Sequence, residues 1–304
     1  NHNGKVGAIP FMYEDDVIIY NKKLFEEKNI TPPNLDKPWT FEELKDAARK
    51  LTDSSKGRYG MAIGLGQASR HLNEMFALKW GLTVVSRDNG EAKISVSPQY
   101  MDFMKEIYNL IYIDKVMSPE VLTLNPEHIA PGFVEEKYAM LPGIGCYVRS
   151  QIIEYSKGTD MDWGIMPTFK GYCQECFGAI QTISIPVQSK NRKEAMEFLA
   201  FMANSKNMAK IAYGDWLFPV RHSASNLPQF SEEKYGWSLA KNSLKNVVVP
   251  NYVDVPGYQE FMDDKGLEIY LRYLGGKIKI DQFKEQLEIE GNMALMRYSD
   301  ISDH

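Results

Sequence analysis

Apolar residues recur at helical spacing in some stretches and gather into short blocks in others. Phe41, Leu44, Ala47, Ala48 and Leu51 return at the period of an amphipathic helix. Thr40 followed by Glu43 has the form of a capping box, and Trp39 with Leu44 fits the hydrophobic staple around it. Ser97-Pro98 predicts a second helix, with Ser as cap, Pro at the first helical position, and Met101, Met104, Ile107 and Ile111 as its buried face. A third helix is predicted over 194–202, carrying Ala195, Phe198, Leu199 and Met202. Ser205 is read as the cap of a fourth, which stops at Gly214. Two more close the chain, over 258–274, ended by Gly275-Gly276, and over 281–298. Short apolar runs predict strands at 6–9, 17–20, 59–63, 139–141, 163–166 and 179–185. Strands interleaved with helices indicate an α/β fold with largely parallel sheets.

Composition narrows the class. The 304 residues suffice for one large domain or two modest ones, and 44% hydrophobic with 25% charged residues is ordinary for a soluble globular chain. The net charge is −5 and no stripe of Lys and Arg stands out, which argues against nucleic acid or an anionic membrane surface as partner. No apolar run is long enough to span a membrane, and the start carries neither a signal peptide nor a lipid-attachment Cys. The odd number of cysteines (Cys146, Cys173, Cys176) argues against a disulfide framework. Cys173-Gln174-Glu175-Cys176 is a C-x-x-C that is open to reading as a redox pair, half a zinc site or nothing, with a local disulfide favoured over a metal in an oxidising compartment. His2, His71, His128, His222 and His304 show no ligand spacing, so neither metal nor cofactor is expected.

Catalytic signatures are thin. No G-x-S-x-G, H-E-x-x-H or complete phosphate loop occurs, and Gly64-Leu65-Gly66-Gln67-Ala68 lacks the third glycine of a nucleotide fingerprint. The adjacent pairs Glu135-Glu136 and Asp263-Asp264 would point about 100° apart on a helix and cannot flank a glycosidic bond. Distant carboxylates that meet in space stay open as a possibility.

One segment is more specific. Residues 7–25 run Gly-Ala-Ile-Pro-Phe-Met-Tyr-Glu-Asp-Asp-Val-Ile-Ile-Tyr-Asn-Lys-Lys-Leu-Phe: an apolar strand, a polar and aromatic turn, a second strand, then Tyr-Asn-Lys-x-Leu-Phe. Further along come Trp39-Thr40-Phe41-Glu42-Glu43-Leu44, Tyr59-Gly60, Phe133 to Met140, Gly145-Cys146-Tyr147, Gly178 to Pro186, Ser189-Lys190-Asn191, Phe218-Pro219-Val220-Arg221 and Val249-Pro250-Asn251. Taken in this order, they resemble the extracellular solute-binding proteins of family 1, the maltose-binding-protein-like sugar-binding lipoproteins that feed ATP-driven importers. The resemblance implies a two-lobed α/β fold of the periplasmic-binding-protein type II kind, with a hinge and a central ligand cleft. It also implies that roughly the first hundred residues of a full-length member precede this stretch, leaving the amino-terminal lobe incomplete. Residues 1–16 and 178–207 would be the remainder of that lobe, 17–177 and 208–257 the carboxy-terminal lobe, and 258–304 terminal helices packing near the hinge.

A sugar site wants flat aromatic rings for C–H faces and directed polar groups for hydroxyls. Aromatic residues make up 12% of the chain, so platforms are plentiful without selecting sugars. The resemblance marks Tyr13, Glu14 and Asp15, in the turn between the first two strands, as ligand-binding residues; a solvated turn is the bland alternative. Tyr147 stands where the family usually stacks a Trp, and Gly145 would let the backbone approach the ligand. Phe177 and Gly178 lie at the return crossing. Trp216 and Arg221 flank Phe218-Pro219, where a lobe-anchoring Trp and a surface Arg are the plainer readings. Trp80-Gly81 is a weaker candidate. The function implied is non-catalytic: capture of an extracellular carbohydrate by hinge closure and delivery to the membrane subunits of an ABC importer, by a monomeric cell-surface lipoprotein or periplasmic protein. A carbohydrate-active enzyme with an α/β core, the same fold holding a non-sugar solute, and a partial lobe that binds nothing remain alternatives.

Overall fold

A computed structural model of the chain describes residues 7–14, 16–67, 72, 76–88, 90–125, 128–145, 148–172, 176–178 and 180–299. Two three-stranded sheets organise it. Strand β1 (Ile9–Tyr13) and strand β2 (Asp16–Asn21) are separated in sequence only by Glu14 and Asp15, yet each is the centre of a different sheet. Val17, Ile18 and Ile19 are all fully buried, so β2 is covered on both faces and shows no alternation. Asn21 then caps α1 (Lys22–Glu27), its Oδ1 accepting from the Leu24 N–H at 3.0 Å, while Tyr20 packs on Phe25 with centroids 4.6 Å apart. The Tyr-Asn-Lys-x-Leu-Phe motif is therefore a strand end, a helix cap and a core anchor.

The expected capping box holds α2 (Phe41–Leu51): Glu43 N–H donates to Thr40 Oγ1 at 3.2 Å and Thr40 N–H to Glu43 Oε2 at 2.7 Å. Trp39 stacks on Phe25, with planes 16° apart. Trp80 packs among Phe41, Phe103 and Phe169 and is a core residue rather than an exposed platform. A hairpin not foreseen from the pattern follows, β3 (Val85–Asp88) with β4 (Glu91–Ile94). Helix α3 (Pro98–Tyr112) starts at Ser97 as expected, but Tyr100 and Phe103 join Met104, Ile107 and Ile111 on its buried face while Met101 is only half-buried.

Strand β5 (Met140–Gly145), helix α4 (Val148–Tyr155) and strand β6 (Trp163–Pro167) complete the second sheet, in the order β5-β2-β6. Here the expectation of largely parallel sheets is corrected. β5 and β6 do run the same way through the α4 crossover, but β2 lies between them and pairs antiparallel to both. Alternating strands and helices thus produced a βαβ unit with an antiparallel strand inserted. The first sheet, in the order β8-β1-β9, is antiparallel too; its flanking strands are β8 (Ile180–Ile183) and β9 (Phe218–Pro219). Among the described pairs of strands only β7 (Cys176–Phe177) and β10 (Val247–Val248) are parallel. Pro10 was expected to end a strand over 6–9; instead it sits inside β1 where the register shifts, a place that tolerates its missing N–H. Residues 59–63 do not form the expected strand. Tyr59 makes an isolated bridge to Tyr138, and the Met61 and Ala62 N–H groups turn to Val116 and Met140 on different neighbours.

Helices α5 (Arg192–Met202) and α6 (Ser205–Gly214) follow, and α5 carries Met196, Phe198 and Phe201 outward. The cap of α6 is Asn204 rather than Ser205, its side chain accepting from the Asn207 N–H at 3.0 Å. Helix α7 (Trp237–Ser243) packs against β6. A turn over Tyr258–Phe261 widens through a π segment, Met262–Gly266, into α8 (Leu267–Leu274). The last helix, α9 (Ile280–Ser299), lies along β4. There, Asn292 accepts from the Ile94 N–H and donates to its carbonyl, both at 2.9 Å. Glu288 accepts from the Val96 N–H at 2.8 Å and Lys284 donates to the Val96 carbonyl at 2.7 Å. Among the described residues no helix is long and apolar enough to cross a membrane, and no group of three or more His, Cys, Asp or Glu is placed to hold a metal ion.

Candidate functional site

The passage from β1 to β2 is where the two sheets meet. At the end of β1, Tyr13 pairs with Ile180 on one side and Phe218 on the other, and its ring lies 6.2 Å from that of Phe218. At the start of β2, Asp16 pairs with Gly145, the last residue of β5. Gly178 closes the group. A Cβ there would lie 2.8 Å from the Glu14 carbonyl oxygen and 2.3 Å from Val247 Cγ1, so only glycine lets the returning chain pass the outgoing one. Strand pairing of Tyr13 and Asp16, with the close approach of Gly178 to Glu14, thus brings Tyr13, Glu14, Gly145 and Gly178 to one place, with Phe177 immediately before Gly178 in β7. One carboxylate oxygen of Glu14 and one of Asp16 are buried, so two acidic groups mark the crossing.

Trp216 reaches this neighbourhood through β9, two residues before the partner of Tyr13. It follows α6 in a Schellman motif. The Trp216 N–H donates to the Tyr213 carbonyl at 3.3 Å and the Leu217 N–H to Ala212 at 2.9 Å, with Trp216 at φ +60°. The same motif ends α8, where Gly276 takes the left-handed position at φ +70°. Most such positions hold Gly, or Asn as at Asn29 after α1. A tryptophan there is held against a conformational cost, a pattern that gathers at functional sites.

What holds it is an aromatic assembly. Trp216 stacks on fully buried Trp237 with centroids 5.2 Å apart and planes 8° apart, and meets Tyr235 nearly edge-on at 5.7 Å and 76°. Tyr235 in turn stacks on Trp163 at 5.6 Å. Trp237 also packs on Phe218, at 5.3 Å, and Phe218 on Tyr13, so rings run without a break from the crossing to Trp163. The guanidinium of Arg149 lies 4.9 Å from the Trp216 ring and 4.6 Å from the Trp237 ring. Trp216 and Trp163 keep part of their surface open, and Tyr235 is exposed.

Three other sequence candidates fall elsewhere or out of view. Arg221 is exposed and lies three positions along the chain from Phe218, on the side away from the crossing, since Val220 already bonds to Phe11. Asp15 and Tyr147 lie outside the described residues, as does Cys173. Gly66 donates its N–H to the Leu124 carbonyl at 2.9 Å, so the described part of the glycine-containing loop, 64–67, is committed to packing. Sequence reasoning did not single out Arg149, Trp163, Tyr235 or Trp237. Two of these are among only five tryptophans, which was a usable signal; nothing local marked Arg149.

Comparison with known proteins fits this architecture. Residues 3–209 match the family model of the bacterial extracellular solute-binding protein, and the chain belongs to that family. It is 28% identical over 276 residues to an uncharacterised lipoprotein encoded 5′ of oleD in Streptomyces antibioticus, covering 89% of this chain and 60% of that protein. The chain therefore spans about three fifths of the length of that relative. An ABC transporter solute-binding protein of Thermotoga lettingae TMO, bound with α-D-tagatose, superposes with a TM-score of 0.80 at 17% identity, over 97% of this chain and 74% of that one. Maltose-bound MalE3 of T. maritima gives 0.74 at 19% identity, over 95% and 72%. The mannobiose-bound protein CpMnBP1 gives 0.76 at 18%, over 96% and 73%. The fold is thus the two-lobed α/β one expected from the sequence.

Proposed function

We propose that this chain binds a carbohydrate beside the β1–β2 crossing and, as part of a surface-exposed binding protein, delivers it to the membrane subunits of an ABC importer. The observation that carries this reading is Trp216, a tryptophan held in a left-handed turn on a stacked partner, on the same run of rings as a crossing where two acidic side chains lie. A fixed ring suits the C–H face of a sugar and carboxylates suit its hydroxyls. The sugars bound to three of the structural relatives support the same class of ligand. Tyr13, Glu14, Asp15, Gly145, Tyr147, Phe177 and Gly178 are assigned to the crossing side of the site and Trp216 to its aromatic side, with Arg221 at the margin. Residues 1–16 and 178–207 belong to the remainder of the amino-terminal lobe, 17–177 and 208–257 to the carboxy-terminal lobe, and 258–304 to terminal helices packing near the hinge. Closure of the lobes over the sugar favours the form that the importer recognises. The protein acts as a monomer and leaves its ligand chemically unchanged; the lipoprotein relative supports a place outside the cell.

The test is a thermal shift against mono- and oligosaccharides including tagatose, maltose and mannobiose, with polyamines and sugar phosphates as controls. Ligand at 100 times its dissociation constant stabilises the fold by about 2.7 kcal/mol. A selective shift with one sugar class, and no product after incubation, is expected. A shift confined to the controls, or release of a cleaved sugar, would overturn the reading.

A further inference from the structure

Two aromatic residues of the described chain have left-handed backbones, Trp216 at φ +60° and Tyr235 at φ +56°. They come from different segments, one after α6 and the other before α7, yet a single side chain bonds to both. Arg149 Nη1 donates to the Tyr235 carbonyl at 2.9 Å and Nη2 to the Trp216 carbonyl at 3.3 Å. The guanidinium is fully buried and lies against the rings of Trp216 and Trp237. A buried cation is retained only where its donors are satisfied, and the planar fork of Arg is suited to holding two acceptors at a fixed separation, which an ammonium cannot do. Arg149 is also the second residue of α4, four residues after Gly145, which pairs with Asp16 at the crossing. The clamp therefore ties the aromatic wall to the place where the sheets meet.

We propose that Arg149 is a positioning residue that fixes the left-handed residues Trp216 and Tyr235 as one right-angled aromatic wall at the sugar site. Arg149 does not touch the sugar; it sets the ring that does. This rests on the reading of Trp216 given under Proposed function. On the Tyr235 side of the wall, Gly236 supplies a second hold. At φ +75° it follows Tyr235, and a Cβ there would lie 2.1 Å from Ile165 Cγ1, so the Tyr235 turn is seated directly on β6.

The experiment uses the protein labelled with 5-fluorotryptophan, whose Trp216 resonance is assigned with Trp216→Phe, and the variants Arg149→Lys and Arg149→Gln. Both variants are expected to shift or broaden the Trp216 resonance in the absence of any sugar. Both are also expected to weaken binding of whichever of tagatose, maltose and mannobiose the wild type takes by about tenfold or more, the scale of losing an aromatic anchor. Lysine rescuing both properties would overturn the proposal, because a point charge lacks the fork. So would an unchanged Trp216 resonance, whatever the affinity does. If the variants fail to fold, the guanidinium ¹⁵N spectrum of the wild type decides: separate Nη signals from hindered rotation are expected, and averaged signals overturn the clamp. A wild type that takes none of the three sugars counts against the proposed function, while the resonance still judges Arg149.

Discussion

Replacing Trp216 by alanine and, separately, by glycine isolates the backbone cost at this position, since both changes delete the same ring. The stack on Trp237 and the edge contact with Tyr235 are each worth about 0.5–1.5 kcal/mol. The contact with buried Arg149 adds about 0.5–2 kcal/mol. Loss of the ring therefore destabilises by about 3 kcal/mol. Glycine recovers about 1 kcal/mol of that, because it occupies φ +60° without the steric penalty that alanine pays in the left-handed region. Urea unfolding curves at a common slope read the difference directly. Trp216→Gly should be the more stable variant by about 1 kcal/mol, and both should lose sugar affinity alike. If alanine is as stable as glycine, the tryptophan is not held against its backbone preference and the argument from strain fails. If either variant keeps wild-type affinity, the ring is not part of the site.

Gly178→Ala should cost about 1–3 kcal/mol in the same assay, through the overlap with Val247 and the Glu14 carbonyl. Gly236→Ala should cost about 2–4 kcal/mol, since it adds a left-handed backbone to a clash with Ile165. Gly214→Ala, with open space around it at the end of α6, should be neutral or stabilising by contrast. Thr40→Ala should lower stability by about 1 kcal/mol through loss of the α2 cap. Hydrogen bonds from the Thr40 backbone N–H and hydroxyl hold the Glu43 carboxyl below its ordinary value. Its contribution is present above the ordinary carboxylate range and lost as the pH falls through the folded value, so Glu43→Gln should destabilise at neutral pH and match the wild type in strong acid. Burial pushes the Tyr273 hydroxyl up to about 12 and that of Tyr100 well above its usual value. These groups stay neutral in the folded chain where the unfolded chain has ionised. Stability should be full below about pH 10 and fall towards pH 12, less steeply in Tyr273→Phe.

Local rules made the helices legible and left the sheets obscure. The capping box at Thr40 and the Ser97-Pro98 start are satisfied within one turn, so their residues announce them. Gly276 likewise marks the end of α8. At α6 the helix does stop at Gly214 as expected, but the left-handed residue that closes it is Trp216, two positions on; the hold on it comes from Trp237, Tyr235 and Arg149, far off in sequence. Strand direction could not be read because β2, between β5 and β6, comes from the other end of the segment. The β3–β4 hairpin had a signal that went unused, Asp88-Asn89-Gly90 between short alternating runs. The crossing at Tyr13 and Glu14 was visible because it is compressed into one short segment. The aromatic wall is assembled from four segments that no window contains.

The way α9 treats the outer edge of β4 has a consequence for how the chain is made. Asn292 answers the Ile94 N–H and carbonyl as a neighbouring strand would, and Glu288 and Lys284 do the same at Val96. An open strand edge invites addition of a second chain. The group that seals this one lies 198 residues later in sequence. At a synthesis rate of about 5–20 residues per second, the hairpin waits about 10–40 seconds with its edge bare before α9 exists to close it. Newly made chains are thus open to sticking to one another throughout that interval, and a truncation ahead of Lys284 would make it permanent.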